Sequence, residues 1–307
     1  MSFLYLLERI RTPILDTLFS AITMLGDELC FIIIVLLMFW CVDKRMGYYL
    51  IAVGFVGTIL NQSLKMMFRV PRPWVLDPNF TIVERAREAA TRYSFPSGHT
   101  QNAVGIYGAI ALWQRRPIYR ILALIPVLLV PFSRMYLGVH TPMDVFVSFV
   151  LAAILVVCIY PVMRHADTAP AYLTYTLLGV VLLGILSVLY MTFAAFPADV
   201  DAAHVASATE NCCKLTGAAV GIVLVWILDH KFIRFETGAV WYAQILKVVV
   251  GCAIVLGIKS VLKAPLQAIL PLGIADALRY FLVAVSAGAL WPMTFRYFAK
   301  LGKQNTK

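Results

Sequence analysis

Charge is scarce in this chain. Asp, Glu, Lys and Arg make up 14% of its 307 residues, against 61% hydrophobic, where soluble domains are about a quarter charged and about half apolar. That scarcity excludes an ordinary soluble globular domain, and a mean hydropathy of +0.84 points to a polytopic membrane protein. A C-x-x-C pair is absent. Cys30, Cys41, Cys158, Cys212, Cys213 and Cys252 lie mostly in or beside apolar runs and read as small apolar residues, not as metal ligands. The start, MSFLYLLERIRTPILD, lacks a basic region followed by an apolar core and a small-residue cleavage site. No cleavable signal peptide is therefore expected, and the spans themselves direct insertion. A basic soluble domain is missing too. The net charge of +10 comes from residues scattered between apolar runs. That distribution argues against a nucleic-acid partner and for topology signals and contacts with anionic lipid.

Apolar length is what the chain has in quantity. A helical span needs roughly 17–25 mostly apolar residues. Such runs lie near 27–42, 47–66, 97–114, 118–133, 142–162, 171–195, 212–229, 240–260 and 273–297. The expected fold is all-α, a polytopic transmembrane helix bundle of about nine spans. Residues 3–26 mix apolar turns with Glu8, Arg9, Arg11 and Asp16. They read as an interfacial or re-entrant helix, or as one more short span.

Basic residues set the orientation. One set of alternate loops holds Lys44 and Arg45; Arg115, Arg116 and Arg120; Arg164; Lys231 and Arg234; and Arg296, Lys300, Lys303 and Lys307. The opposite set includes 197–211, with Asp199, Asp201 and Glu210 but no Lys or Arg. The C-terminus is therefore expected in the cytoplasm, and loops 67–96 and 134–141 outside. Around those two loops Lys65, Arg69, Arg72, Arg85, Arg87, Arg92 and Arg134 break the pattern. A basic cluster on the wrong side for topology points to function. The long connection 68–95, rich in proline and charge, points the same way.

Three polar constellations interrupt the apolar pattern, all on the expected outer side. The first is KMMFRVPRP, with Lys65 and then Arg72-Pro73. The second is PSGH, Pro96 to His99, and the third is SRMYLGVHTPMD, with Ser133, Arg134, His140 and Asp144. Lys65, Arg72 and Arg134 repel one another and lose hydration unless an oxyanion lies between them, and the planar fork of arginine suits phosphate oxygens. PSGH opens a helix. Ser97 can cap it, Gly98 lets the backbone approach a ligand, and the free N–H groups attract an anion. HTPMD opens another, with Thr141 as N-cap, Pro142 at the first helical position and Asp144 in a capping-box arrangement. His140 stands about one turn before Asp144, whose carboxylate can take an imidazole N–H and activate the other nitrogen. A phosphate cradle, an oriented histidine and a second histidine suffice for phosphoryl transfer through a phosphohistidine, with no metal and no cofactor.

Taken together, Lys65-x6-Arg72-Pro73, Pro96-Ser97-Gly98-His99 and Ser133-Arg134-x5-His140-x3-Asp144 resemble the three-part signature of the type 2 phosphatidic acid phosphatase family, of the haloperoxidase superfamily. The resemblance implies a catalytic helical core over 1–165, with 166–307 as additional transmembrane helices of unknown role. It implies that His140 attacks phosphorus and Asp144 orients it. His99 would protonate the leaving oxygen and later activate water. Lys65, Arg72, Ser97, Gly98 (through its N–H) and Arg134 would hold the transferred group's oxygens. The expected substrate is a lipid phosphate or diphosphate, taken from the membrane at the extracytoplasmic face. Undecaprenyl diphosphate, phosphatidate, phosphatidylglycerophosphate and sphingosine-1-phosphate all fit, and no protein partner is indicated. Two alternatives stand beside hydrolysis: a phosphotransferase using the same phosphoenzyme, and a transporter using the basic pocket for binding only. Arg69, Arg85, Arg87 and Arg92 read as solvated or headgroup-facing. Gln101 and Asn102 read as cavity lining or as links to neighbouring helices. Lys247, Lys259, Lys263, Asp276 and Arg279 read as snorkelling or helix-pairing charges.

Overall fold

Long apolar runs can satisfy their backbone polar groups in a bilayer only by coiling on themselves, and in the computed structural model every regular element among the described residues is helical. It describes residues 1–301 except 89, 91, 92, 167, 198 and 199. Arg92, Asp199, Lys303 and Lys307 lie outside the described residues. The helices are α1 Ser2–Arg9, α2 Pro13–Thr23, α3 Glu28–Leu37, α4 Lys44–Phe68, α5 Pro73–Leu76, α6 Gly98–Trp113, α7 Pro117–Tyr136, α8 Pro142–Arg164, α9 Pro170–Phe193, α10 Ala202–Leu228, α11 Trp241–Val261, α12 Lys263–Ile269, α13 Leu272–Val285 and α14 Phe295–Phe298. Proline opens α2, α5, α7, α8 and α9, where its missing N–H costs nothing.

Among the described residues, seven helical stretches are long and apolar enough to cross a membrane, or up to eight if the bent pair Pro13–Gly26 and Glu28–Val42 forms one span. The pair meets at 51°, so the N-terminal segment expected to lie on or re-enter the membrane continues into the first expected span. The expected span 97–114 is the 16-residue helix α6, about 24 Å long at 1.5 Å per residue and short of the roughly 30 Å hydrocarbon core.

The chain forms two compact units, residues 1–33 with 49–162, and residues 34–48 with 163–307. In the first, the 68–95 connection is built into the fold. Phe80 and Ile82 are buried with Leu4, and Val83, Ala86 and Ala90 are buried with Tyr136, Leu137 and Val139. Arg11 donates to the Tyr136 and Thr81 carbonyls at 3.0 and 2.8 Å, and Tyr136 donates to Asp16 at 2.8 Å. These bonds tie α1, α2 and the connection to the end of α7.

In the second unit, α10 meets α13 where side chains are smallest. A Cβ at Gly217 would stand 2.0 Å from the Ala277 carbonyl oxygen, and one at Gly221 2.9 Å from that of Phe281. Two glycines four apart let helix backbones approach in a membrane, where packing replaces the hydrophobic drive. Buried charge here is mostly paired: Asp229 accepts from Lys44 at 2.8 Å and Asp276 from Arg279. Lys247 is fully buried and donates to the Thr237 carbonyl at 2.9 Å.

Gly217→Ala is predicted to lower the melting temperature in detergent by several degrees, because overpacking a close contact costs about 1–3 kcal/mol. Gly179→Ala, whose Cβ would meet nothing within 4 Å, is the control and melts at or above the wild-type temperature. Equal melting of the two variants would contradict this packing.

Candidate active site

All eight residues singled out by the three constellations fall in the first unit, at helix ends. Lys65 is in the last turn of α4 and Arg72 is the N-cap of α5. Ser97 caps α6, and Gly98 and His99 are its first residues. Arg134 is in the last turn of α7, His140 in the turn after it, and Asp144 in the first turn of α8. Lys65, Arg72, Ser97, Arg134, His140 and Asp144 are all buried.

The cations converge on the histidines. Arg72 Nη1 lies 3.0 Å from His140 Nε2 and 2.9 Å from the Val139 carbonyl oxygen, to which it donates. Lys65 donates to the Tyr93 and Ser94 carbonyls at 2.9 and 3.4 Å. Arg134 donates to Thr23 Oγ1 at 3.0 Å, while its buried Nε finds no hydrogen-bond partner among the described residues. Burial, and then the charges of Arg72, Arg134, Lys65 and His99, hold the His140 imidazole well below its ordinary range. His140 is therefore neutral at neutral pH. Because a guanidinium only donates, Nε2 is the accepting nitrogen and Nδ1 carries the proton.

Asp144 closes a capping box. Its Oδ2 accepts from the Thr141 N–H at 2.7 Å, and its own N–H donates to Thr141 Oγ1 at 3.3 Å. The expected direct bond from His140 is longer than expected, with Nδ1 3.6 Å from Asp144 Oδ2. Ser94 stands between them, a residue that spacing along the chain did not single out. Its hydroxyl donates to Asp144 Oδ2 at 2.6 Å and lies 3.4 Å from His140 Nδ1.

At the start of α6, Ser97 Oγ accepts from the Thr100 N–H at 3.4 Å and the Thr100 hydroxyl at 3.0 Å. The Ser97 N–H donates to the Asp144 carbonyl at 3.2 Å, which joins the α6 start to α8. A Cβ at Gly98 would meet only Asn61 Oδ1, at 3.8 Å. Among the described residues no atom requires that position to be bare. The rest of the polar run is engaged with the protein. A Cβ at Gly57 would stand 2.3 Å from the amide of the buried Gln101, and Asn102 donates to the Gly26 carbonyl at 3.2 Å. At Gly26 a Cβ would stand 2.6 Å from the His99 carbonyl oxygen. Thr23, at the end of α2, and Gly26, between α2 and α3, thus pack against Arg134 and His99 and were also missed from spacing. Arg85 and Arg87 stay exposed, with Arg87 paired to Glu84 at 2.8 Å, whereas Arg69, expected to be solvated, is half-buried and donates to the Met66 carbonyl at 3.0 Å.

Set beside known proteins, residues 44–167 match the family described as PAP2 superfamily. Residues 213–304 match a second, PAP2 superfamily phosphatase, transmembrane extension. Sphingosine-1-phosphate phosphatase 1 of Rattus norvegicus is 27% identical over 80% of this chain and 59% of its own length. Undecaprenyl-diphosphatase BcrC of Bacillus subtilis (strain 168) is 36% identical over 33% of this chain and 50% of its own. Phosphatidylglycerophosphatase B of the same strain is 30% identical over 48% of this chain and 74% of its own. This chain thus spans less than two thirds of the first two relatives.

If the bare backbone at Gly98 serves an anion, Gly98→Ala melts within about 2 °C of wild type, the scale of less than 1 kcal/mol in a chain of this size. The same variant binds orthovanadate at least about tenfold more weakly, a loss of roughly 1.4 kcal/mol. Unchanged vanadate affinity would contradict the assignment.

Proposed function

Because this chain belongs to the PAP2 superfamily, we propose that it is an integral-membrane phosphatase of lipid phosphate or lipid diphosphate esters. The observation that carries this reading is the convergence of Lys65, Arg72 and Arg134 on two histidines, with His140 Nε2 3.0 Å from the Arg72 guanidinium. A phosphoryl group that accepts from Arg72 draws the guanidinium off Nε2 and presents phosphorus to the freed lone pair. Nε2 then forms the P–N bond while the P–O bond to the lipid breaks. Entry of the phosphate's negative charge lets His99 take up a proton, and the imidazolium gives that proton to the leaving oxygen. In the second half, His99 takes a proton from water, the water oxygen attacks phosphorus, the P–N bond breaks, and inorganic phosphate leaves.

Lys65, Arg72, Arg134, Ser97 and the Gly98 N–H stabilise the charge spread over the transferred group's oxygens. Positioning and electrostatics of this kind supply most of the catalysis of phosphoryl transfer. Three cations do the charge work here, so this reading assigns no role to a metal or cofactor. The relatives named above act on sphingosine-1-phosphate, undecaprenyl diphosphate and phosphatidylglycerophosphate by their names. What these share is a phosphate at the end of a lipid, and that is the substrate class proposed. Lys44, Arg45, Arg115, Arg116, Arg164, Lys231 and Arg234 in alternate loops support a cytoplasmic C-terminus and an extracytoplasmic active site.

The test is phosphate release by purified protein from a panel of phospholipids, prenyl diphosphates and sugar phosphates, with His140→Ala as control. Release from lipid members is expected to persist in chelator, to be inhibited by vanadate, and to fall at least about 10³-fold in His140→Ala. In sealed vesicles of known orientation, a membrane-impermeant substrate is hydrolysed only from the extracytoplasmic side. No release from any member would overturn the phosphatase reading. Product formation that needs a lipid acceptor and yields little phosphate would favour phosphotransfer.

A further inference from the structure

Resting on that reading, we propose that Ser94 is a positioning residue that holds His140 and Asp144 in register for attack on phosphorus. The loop 93–97 carries it into the site. The Ser94 N–H donates to the Val70 carbonyl at 2.8 Å, and its own carbonyl accepts from Lys65 at 3.4 Å. Those are backbone bonds, independent of the side chain. The hydroxyl does something else. Fully buried, it donates to Asp144 Oδ2 at 2.6 Å, the short distance of a charge-assisted bond, and turns its lone pairs toward the His140 Nδ1–H at 3.4 Å. Nδ1 and Oδ2 are themselves 3.6 Å apart, beyond a good hydrogen bond. The hydroxyl therefore completes the link from carboxylate to imidazole that the direct contact leaves long. It fixes the Nδ1–H tautomer and leaves Nε2 as the nucleophile.

Ser94 also acts on charge. By donating to Asp144 it disperses part of the carboxylate's negative charge. The other charged or titratable groups around His140 are Arg72 at the start of α5, Lys65 at the end of α4, Arg134 at the end of α7 and His99 at the start of α6. The three cations, and His99 whenever it carries a proton, disfavour the imidazolium, whereas Asp144 favours it. Removing the Ser94 hydroxyl leaves Asp144 more concentrated in charge, which stabilises the imidazolium. The sign follows: His140 then takes its proton at higher pH, and the acid limb of kcat/KM moves up. A residue that merely fills space would leave that limb where it is.

The experiment compares wild type, Ser94→Ala, Asp144→Ala and the double variant on a lipid phosphate that wild type hydrolyses, across pH. Ser94→Ala is expected to lower kcat by about 10- to 100-fold, as misaligned nucleophiles do, with KM changed less than about threefold. Its acid limb moves to higher pH. In the Asp144→Ala background the same substitution costs less than about twofold, because coupled groups are non-additive. If Ser94→Ala is not recovered as a monodisperse species, Ser94→Cys carries the test, since a thiol fills the site but donates weakly. Wild-type kcat with an unmoved limb in the variant that folds, or full additivity with Asp144→Ala, would overturn the inference. Absence of hydrolysis by wild type on every substrate would instead overturn the function proposed above, so the two failures are distinct.

Discussion

Mutual repulsion among Lys65, Arg72 and Arg134 is the constraint around which the first unit is arranged. Like charges brought out of water oppose folding unless something answers them. Here part of the answer is backbone. Lys65 and Arg72 donate to carbonyls at the turns 93–94 and 139, and Arg134 to Thr23. These contacts require helix ends to gather in one place, because helix interiors have no free carbonyls to offer. The gathering explains why the ends of α4 and α7 and the starts of α5, α6 and α8 carry the polar residues of an otherwise apolar chain. Burial, together with the positive field that results, keeps His140 neutral, which is the form a nucleophile needs. In the function proposed here, an anion that enters relieves the repulsion and meets the nucleophile in the same event.

The breaks in the apolar pattern follow from this arrangement. The bend between α2 and α3 brings Thr23 to Arg134 and Gly26 against the backbone of His99. The run from Thr100 to Asn102 at the head of α6 serves as cap, close packing and a tie to that bend. The second unit obeys a different rule. Its helices meet through glycine at 217 and 221 and through ion pairs such as the buried Asp229 with the half-buried Lys44.

Much of this was legible along the chain, and the remainder was hidden for a physical reason. The capping box of Thr141 and Asp144 depends on a fixed spacing within one helix turn, so its geometry follows from sequence. The cations at helix ends stand out because charge is scarce elsewhere. Ser94, Thr23 and Gly26 act across space, from segments 50, 111 and 73 residues away from Asp144, Arg134 and His99 in the chain. A lone serine, threonine or glycine gives no periodic signal. The expected His140–Asp144 bond was half legible: spacing brings the two groups to one turn, but only the fold reveals the hydroxyl between them. Gln101 and Asn102, read as either cavity lining or helix links, turn out to be engaged with the protein. Gly217-x-x-x-Gly221 is a close-packing pattern, but along the chain it is one of many pairs of small residues. The expected span at 97–114 agrees with α6 to one residue at each end, but its 16 residues fall short of the hydrocarbon core.

The central claim is that the cation cradle exists to deliver phosphorus to His140. The most direct measurement mixes the protein with a lipid phosphate it hydrolyses, quenches turnover in alkaline denaturant, and maps bound phosphate by peptide mass spectrometry. Phosphohistidine survives alkali and is lost in acid. The account predicts acid-labile phosphate on the peptide that carries His140. Steady turnover with no label there, or with label on another residue, would contradict it.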